Sequence, residues 1–571
     1  MQVESLAALG DRDTLVTDLL IIGGGPTGLT IAQQFEGSGI RVLILESGLE
    51  METPDHAALN AVESIGELGA VEQAAKRKVF HAVNSKTWSH DVQQFGVRCR
   101  ALGGSTHAWA GKSAPFDPID FRQRAWIEHS GWPIDRAALD PFIERAIDVL
   151  NLSPRDPDPK FESAGLRSFF WQFARSRTDR LDIMRFGADV LARKPAGLRI
   201  LLDATVTRIA LDAAGTCFSH VEVASVSGKT ARVDAKFCVL AASGIENPRL
   251  LLASSDVHAN GIGNAHDVVG RYLMDHPGSC VGQVPPEAIG LLAKKFGFYG
   301  VQHGGRAHMF MHGLSSTPEM QEREGLLNAA VYFLPLRSPD DPWDALKRLL
   351  RRRSNSVGHD VLSVASGLGL LATGIGTKIL AHERTPKLFK DIVINTAIRF
   401  NPNFVAGEFQ NHGLPHKLRG LSIEAITEQM PNRDSRVMLA SRTDRFGVPM
   451  ARIDWRINDI ERRTLQRIAE LTRISLIEAG LPAPILEPWV RDGHLENAVI
   501  IDMGHTLGTT RMAVDPRQGV VDANCKVHGV DGLYVAGGSV FPTSGHANPT
   551  LMILAVAIRL ADHLKSVFAR S

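Results

Sequence analysis

At 571 residues the chain is long enough for several domain-sized units and a large core, and its 44% apolar and 22% charged content are those of an ordinary globular protein. Sixty-three basic against 62 acidic residues leave a net charge of +1, which removes any electrostatic case for nucleic acid. Five cysteines, with no Cys-x-x-Cys pair, offer neither a disulfide framework nor a zinc site and suit a reducing compartment.

Residues 1–17 are polar and acidic, which is not the pattern of a secretory signal, so the expected location is cytoplasmic. A continuous apolar run, Asp18–Ile22, then predicts a buried strand, followed at once by Gly23-Gly24-Gly25-Pro26-Thr27-Gly28 and a helix over Leu29–Gly37. In this Gly-x-Gly-x-x-Gly frame Gly23 makes the tight turn, Gly25 admits a pyrophosphate and Gly28 lets helix and strand pack. A second strand, Arg41–Leu45, ends in Glu46, 23 residues after Gly23, the place of an acid that binds a ribose hydroxyl. A carboxylate there repels a 2′-phosphate, which leaves FAD or NAD as the dinucleotide.

Arg98–Trp109 contains Gly103-Gly104-Ser105, again a place for close backbone approach. Ser130-Gly-Trp-Pro-Ile134 precedes an amphipathic helical stretch (Leu139, Phe142, Ile143, Ile147, Leu150), and residues 153–159 read as a loop. Apolar runs between Leu198 and Val239 predict a meander of strands leading into Ala241–Leu252. Gly270-Arg-Tyr-Leu-Met-Asp-His-Pro277 carries His276, read as a structural or ring-contact residue. Ala329–Leu334 and Leu421–Thr427 are expected in one sheet.

Between them, residues 337–404 open with a basic cluster (Lys347, Arg348, Arg351, Arg352, Arg353) and continue with the uncharged run Val361–Thr377, which holds four glycines. A buried hairpin, an active-site lid or an oligomer contact is one expectation. A shallow membrane-surface segment with basic anchors at 347–377 is the other.

The last stretch is His505-Thr-Leu-Gly-Thr-Thr-Arg-Met512, then Leu533-Tyr-Val-Ala-Gly-Gly-Ser-Val-Phe-Pro-Thr-Ser-Gly-His-Ala-Asn-Pro-Thr550. Gly532–Ala536 predicts a short buried strand that stops at Gly537-Gly538. Asn548 is expected to cap the following helix with Pro549 as its first residue. That helix is apolar on nearly every face, so its positive end points inward, suited to an electron-rich group such as a reduced flavin.

These last two motifs, in order and spacing, resemble the C-terminal signature of the glucose-methanol-choline (GMC) FAD-dependent oxidoreductases, with Asn548 as second member as in the sugar-oxidising branch that includes pyranose 2-oxidase. The resemblance implies a Rossmann-like FAD-binding domain with an α+β substrate-binding domain built on an antiparallel sheet. By the same resemblance the first domain takes residues 1–130, 196–277 and 496–571, and the second 131–195 and 278–495, with the unusual insert at 337–404. It makes FAD the cofactor, with Gly23, Gly25, Gly28, Glu46, Gly103, Gly104, Ser105, Trp109, Gly538, Pro549 and Thr550 around it and the backbone of Val206 near the adenine. Where pyranose 2-oxidase has a flavin-linked His, this chain has Ala108, and His107 stands one place early, so FAD is expected to be noncovalent and no metal is expected. His505 is implied as base and Asn548 as its partner, acting on a secondary alcohol of a sugar or glycoside. Oxygen, a quinone or a carrier protein remains open as electron acceptor, with a dehydrogenase favoured over an oxidase. The alternatives are the same chemistry on a lipid-linked or sterol-like alcohol at a membrane surface, or a non-redox flavin lyase.

Overall fold

The computed structural model describes the chain except residues 11–12, 67–74, 76–91, 159–160, 164, 178–182, 352–353, 355, 382–384, 404, 406–415 and 571. Arg352 and Arg353 of the basic cluster therefore lie outside the described residues.

An eight-stranded sheet takes its strands from residues 2–45, 198–240 and 533–535. Its strands run in the order Gln2–Ser5, Leu198–Leu202, Val42–Leu45, Asp13–Ile22, Thr230–Leu240, Phe218–Ala224, Thr205–Leu211, and Leu533–Val535 adds to Thr230–Leu240. The pairs from Gln2–Ser5 to Thr230–Leu240 are parallel. Leu19–Ile22 and Val42–Leu45 are buried at every position, as parallel strands covered on both faces must be. Only Thr205–Leu211, Phe218–Ala224 and Thr230–Leu240 form the expected antiparallel meander. Leu198–Leu202 instead joins the parallel part, between Val42–Leu45, buried at every position, and the edge strand Gln2–Ser5.

The helix after the glycine turn, α1 (Pro26–Gln34), begins three residues before the predicted Leu29. Gly25 is extended (φ −77°, ψ −176°) and Pro26, whose fixed φ suits a first helical position, opens the helix. Gly28 is a packing position, since a Cβ there would lie 2.0 Å from the Gly23 carbonyl oxygen.

A second, nine-stranded sheet is antiparallel throughout. It runs Ile485–Leu486, Gly278–Val284, Leu418–Thr427, Ala329–Arg337, Arg306–Ser316, Leu166–Phe173, Lys112–Ser113, with Phe298–His303 and Glu162–Ser163 paired at its side. Lys112–Ser113 thus brings a piece of the 1–130 stretch into the second sheet. A three-stranded sheet joins Val62–Ile65 to Pro449–Asp454 and Arg436–Thr443.

The 337–404 stretch is not a buried hairpin. It folds into α2 (Pro342–Leu350), α3 (Val357–Ser366), α4 (Leu368–Ala381) and α5 (Lys387–Phe400). Asp341 caps α2 by accepting from the amides of Trp343 and Asp344, and Gly367 separates α3 from α4. The intrinsic helix penalty of the glycines, about 1 kcal/mol each relative to Ala, is outweighed in context, and only Gly367 interrupts the helix.

The last helix, α6 (Thr550–Phe568), is buried along most of its length against α1 and the helix Arg136–Val149. It starts later than the sequence suggests. Pro549 occupies the cap position and Asn548 makes no capping bond, because its side chain is turned to His505 instead.

Candidate active site

One cavity of about 1720 Å³ runs between the two large sheets, from the glycine turn before α1 to the start of α6. That is well above the roughly 300–1,000 Å³ of an ordinary single-ligand pocket. At one end Gly25 faces Gly104, and a Cβ on Gly104 would lie 3.0 Å from the Gly25 Cα. The bare backbones leave the cavity open to a large planar or phosphate-bearing ligand. Gly25 offers α1 no side-chain cap, so the first amides of α1 are free of an intrahelical partner where Thr27 lines the cavity.

Of the residues singled out from the sequence, Gly23, Gly25, Glu46, Gly104, Ser105, Trp109, Val206, His505, Gly538, Asn548, Pro549 and Thr550 all line this one cavity. Gly28 and Gly103 do not. Gly103 donates its amide to the Gly24 carbonyl at 2.7 Å and packs on Gly187, so it shapes the loop from behind.

The Glu46 carboxylate already accepts from the amides of Gly24 (2.9 Å) and Gly48 (2.8 Å). Burial pushes it up to about 7 in spite of these two donors. Each oxygen keeps a second lone pair, so the group can still accept from a ligand hydroxyl. Trp109 is oriented by an indole N–H donated to the Met184 carbonyl at 2.8 Å. Ala108 contributes its backbone and methyl to the wall, while the His107 ring lies 2.9 Å from the Leu102 carbonyl oxygen.

Two strips of chain set His505. The 501–507 segment runs antiparallel to 274–278, with Met274 and Leu507 exchanging two backbone bonds (3.0 and 2.8 Å) and Gly278 doing the same with Ile501. On its other side the amides of Gly508, Thr510 and Met512 donate to Gly538, Ser539 and Val540. Asp275 pins the junction. Its carboxylate accepts from the amides of His276 (2.7 Å), Met503 (2.9 Å) and His505 (2.8 Å). Burial and the neighbouring Asp502 nevertheless push Asp275 up to about 8.

His276 sits 2.9 Å from His505, Nδ1 to Nδ1, and its Nε2 is 3.1 Å from the Ser544 carbonyl oxygen. A carbonyl only accepts, so the His276 proton belongs on Nε2. Its Nδ1 then accepts from His505 Nδ1–H, and neutral His505 presents a lone pair at Nε2. Burial, and then His505 itself, hold His276 well below the usual imidazole range, so this neutral arrangement is the stable one. The Asn548 side-chain amide lies 3.2 Å from His505 Nε2, and both residues face the cavity.

The sequence reading missed three things. Asp275 and His276 act on His505 across 229 and more positions, a contact beyond the structural or ring-contact role expected of His276. Arg98 and Glu246, from two stretches read separately, meet at 2.6 Å, and Glu246 also binds Arg249 and Arg100. Burial opposes the charge on Glu246, but these three guanidiniums hold it well below the usual carboxylate range. Lys112 lines the cavity from the antiparallel sheet, its ammonium 4.7 Å from the Tyr332 ring centre, and burial pushes it down to about 8.

The residues fit FAD. A long cavity begins at an uncapped helix N-terminus, passes a buried carboxylate, and ends at a second buried helix N-terminus with no side-chain cap. The GMC oxidoreductase family models match residues 188–278 and 431–557. The chain is 24% identical over 617 residues to the 2-methyl-1,2-propanediol dehydrogenase of Mycolicibacterium austroafricanum, covering 97% of this chain and 96% of the relative. It is 24% identical over 622 residues to the fructose dehydrogenase large subunit of Gluconobacter japonicus, covering 96% and 98%. Its fold matches that of the formate oxidase of Aspergillus oryzae RIB40 with a TM-score of 0.53 at 18% identity, over 98% and 99% of the two chains. With both family regions matched, a Rossmann-like sheet beside an antiparallel one and a cavity between them, this chain carries the N- and C-terminal domains of the GMC oxidoreductases, FAD-dependent enzymes that act on CH–OH groups.

Proposed function

We propose that this enzyme oxidises a secondary alcohol of a sugar or glycoside to the ketone, with His505 as the base. The observation that carries the reading is the His505–Asn548 pair at the cavity wall, with the lone pair of His505 Nε2 directed by His276. The hydroxyl proton of the substrate goes to Nε2, and the imidazolium so formed keeps its Nδ1–H on His276 Nδ1. Asn548 then donates to the substrate oxygen as negative charge develops on it. FAD, when bound, supplies the acceptor for the carbinol hydride. His276, Asp275 and Ser544 act as positioning groups, because each fixes the orientation or tautomer of His505 without facing the substrate.

The sugar reading is supported by the part of the cavity lining that the antiparallel sheet supplies. Lys112, Glu424 and Ser422 offer polar groups for several hydroxyls, and Trp171 and Tyr332 offer flat faces for the apolar side of a ring. The two relatives, a fructose dehydrogenase and a 2-methyl-1,2-propanediol dehydrogenase, point to hydroxyl-bearing substrates. Noncovalent FAD is supported by Ala108 at the wall and by the His107 ring directed to Leu102.

The test is anaerobic stopped-flow reduction of the bound flavin by a panel of sugars and glycosides. Wild type should bleach with at least one of them. His505→Ala with full FAD content should slow this step by about 10² to 10⁴-fold and recover in part at high pH, where the alcohol needs less help to lose its proton. An unslowed His505→Ala protein rejects the base; bleaching by simple aliphatic alcohols and by no sugar rejects the substrate class.

A further inference from the structure

Exposed apolar side chains are concentrated in one part of the molecule. Of the twenty large apolar residues that stand exposed among the described residues, ten lie between Leu350 and Phe400. In α3 the usual amphipathic order is inverted. Asp360 and Ser363 are buried, Asp360 against Arg348 of α2, while Val357, Val361 and Leu362 are 62%, 52% and 68% exposed. Helix α5 has two apolar faces: Ile394 and Ile398 are buried toward the antiparallel sheet, and Leu388, Ile392 and Phe400 stand in solvent on the other side. A helix that turns polar groups inward and Val and Leu outward is arranged for a partner other than water.

Charge identifies the partner. Residues 342–400 hold ten Lys and Arg against four Asp and Glu, a net +6, whereas the whole chain is +1. Lys347, Arg351, Lys387 and Arg399 are exposed beside the apolar side chains, with the Arg399 guanidinium 5.3 Å from the Phe400 ring centre. A second copy of the chain would set +6 against +6. A negatively charged lipid surface complements both the charge and the apolar side chains.

We propose that α2–α5 form a docking surface for an anionic bilayer, with Leu362, Leu388, Ile392 and Phe400 entering the headgroup boundary and the basic residues at its rim. The attachment is peripheral, since no helix among the described residues is long and apolar enough to cross a membrane. Helix α5 also walls the catalytic cavity through Phe389, Val393 and Ala397, so the docked face lies beside the cavity. The proposal does not depend on which alcohol is oxidised.

The experiment is co-sedimentation of the full-length holoenzyme with vesicles of equal parts phosphatidylglycerol and phosphatidylcholine, and with phosphatidylcholine alone. Binding is expected to the anionic vesicles at low salt and to weaken at least tenfold in 0.5 M salt, where the Debye length falls to about 4 Å. The triple variant Leu362→Ser, Leu388→Ser, Phe400→Ser should lose at least tenfold in binding while its FAD content and its activity on a soluble alcohol stay those of wild type. Absence of binding at low salt, or a triple variant that binds like wild type, overturns the proposal. So does a wild-type oligomer that the triple variant dissolves without any lipid binding, which would assign the face to protein contact.

Discussion

Asn548 shows how one side chain can be read correctly as important and wrongly as to its contact. Asn is a leading helix cap, and the sequence placed it directly before Pro549. The helix starts one residue later, and the Asn548 amide reaches His505 Nε2 at 3.2 Å instead. Asn548→Ala should therefore slow flavin reduction about 10 to 10²-fold, the effect of one lost hydrogen bond to a developing charge, and leave the thermal midpoint within a degree or two of wild type. A fall in midpoint of several degrees, the signature of a lost cap, would show that Asn548 supports the helix after all. The tautomer of His505 could not be read from the sequence in any form, since it is set by the Ser544 carbonyl acting through His276.

At the scale of elements, the loop 98–109 is fastened from several sides. Arg98 binds Glu246 and the Asn60 carbonyl, Gly103 binds Gly24, and Trp109 binds Met184. The loop thus has a fixed course along the cavity, and the residue it presents at the linking position is Ala108. Acid precipitation of the holoprotein is expected to leave all FAD in the supernatant and a colourless pellet; a yellow pellet would mean that another residue forms the bond. The insert teaches the opposite lesson about elements. Its glycine content argued for a non-helical run, but Asp341 at the start of α2, the ion pair of half-buried Arg348 with Asp360 and the packing of Ile394 and Ile398 hold a helical cluster together.

For the whole molecule, buried titratable groups set the response to pH. Glu46 and Glu461 are pushed up to about 7 and Asp275 to about 8, burial being the first cause in each. Their unfolded values lie near 4, so the folded chain holds protons that the unfolded chain has released, and this stability is lost as pH rises through 7 to 8. Burial pushes His312 and His546 down to about 4, which acts the other way until the unfolded imidazoles have lost their protons, about one unit above their unfolded value of about 6.5. The part due to one carboxyl is isolated by its neutral isostere: the thermal midpoint of wild type should fall more between pH 5 and 8 than that of a Glu461→Gln variant, and an equal fall in the two would show that Glu461 is ionised in the folded protein.

The sequence by itself determined what depends on neighbours along the chain. The strand–glycine turn–helix around Gly23–Gly28, the buried last helix, the strands Ala329–Leu334 and Leu421–Thr427, and the two separated motifs that resemble the family were legible because periodicity, glycine frames and spacing are local properties. Tertiary structure alone decided what depends on distant parts meeting. It brought 274–278 beside 501–507 and so gave His505 its Asp275 and His276 contacts. It drew Lys112 into the second sheet and so onto the cavity wall. It joined Arg98 to Glu246, and it turned the apolar residues of α3 outward by burying Asp360 against Arg348. A buried charge takes its stability from whichever opposite charge the fold delivers, and sequence separation carries no information about that distance.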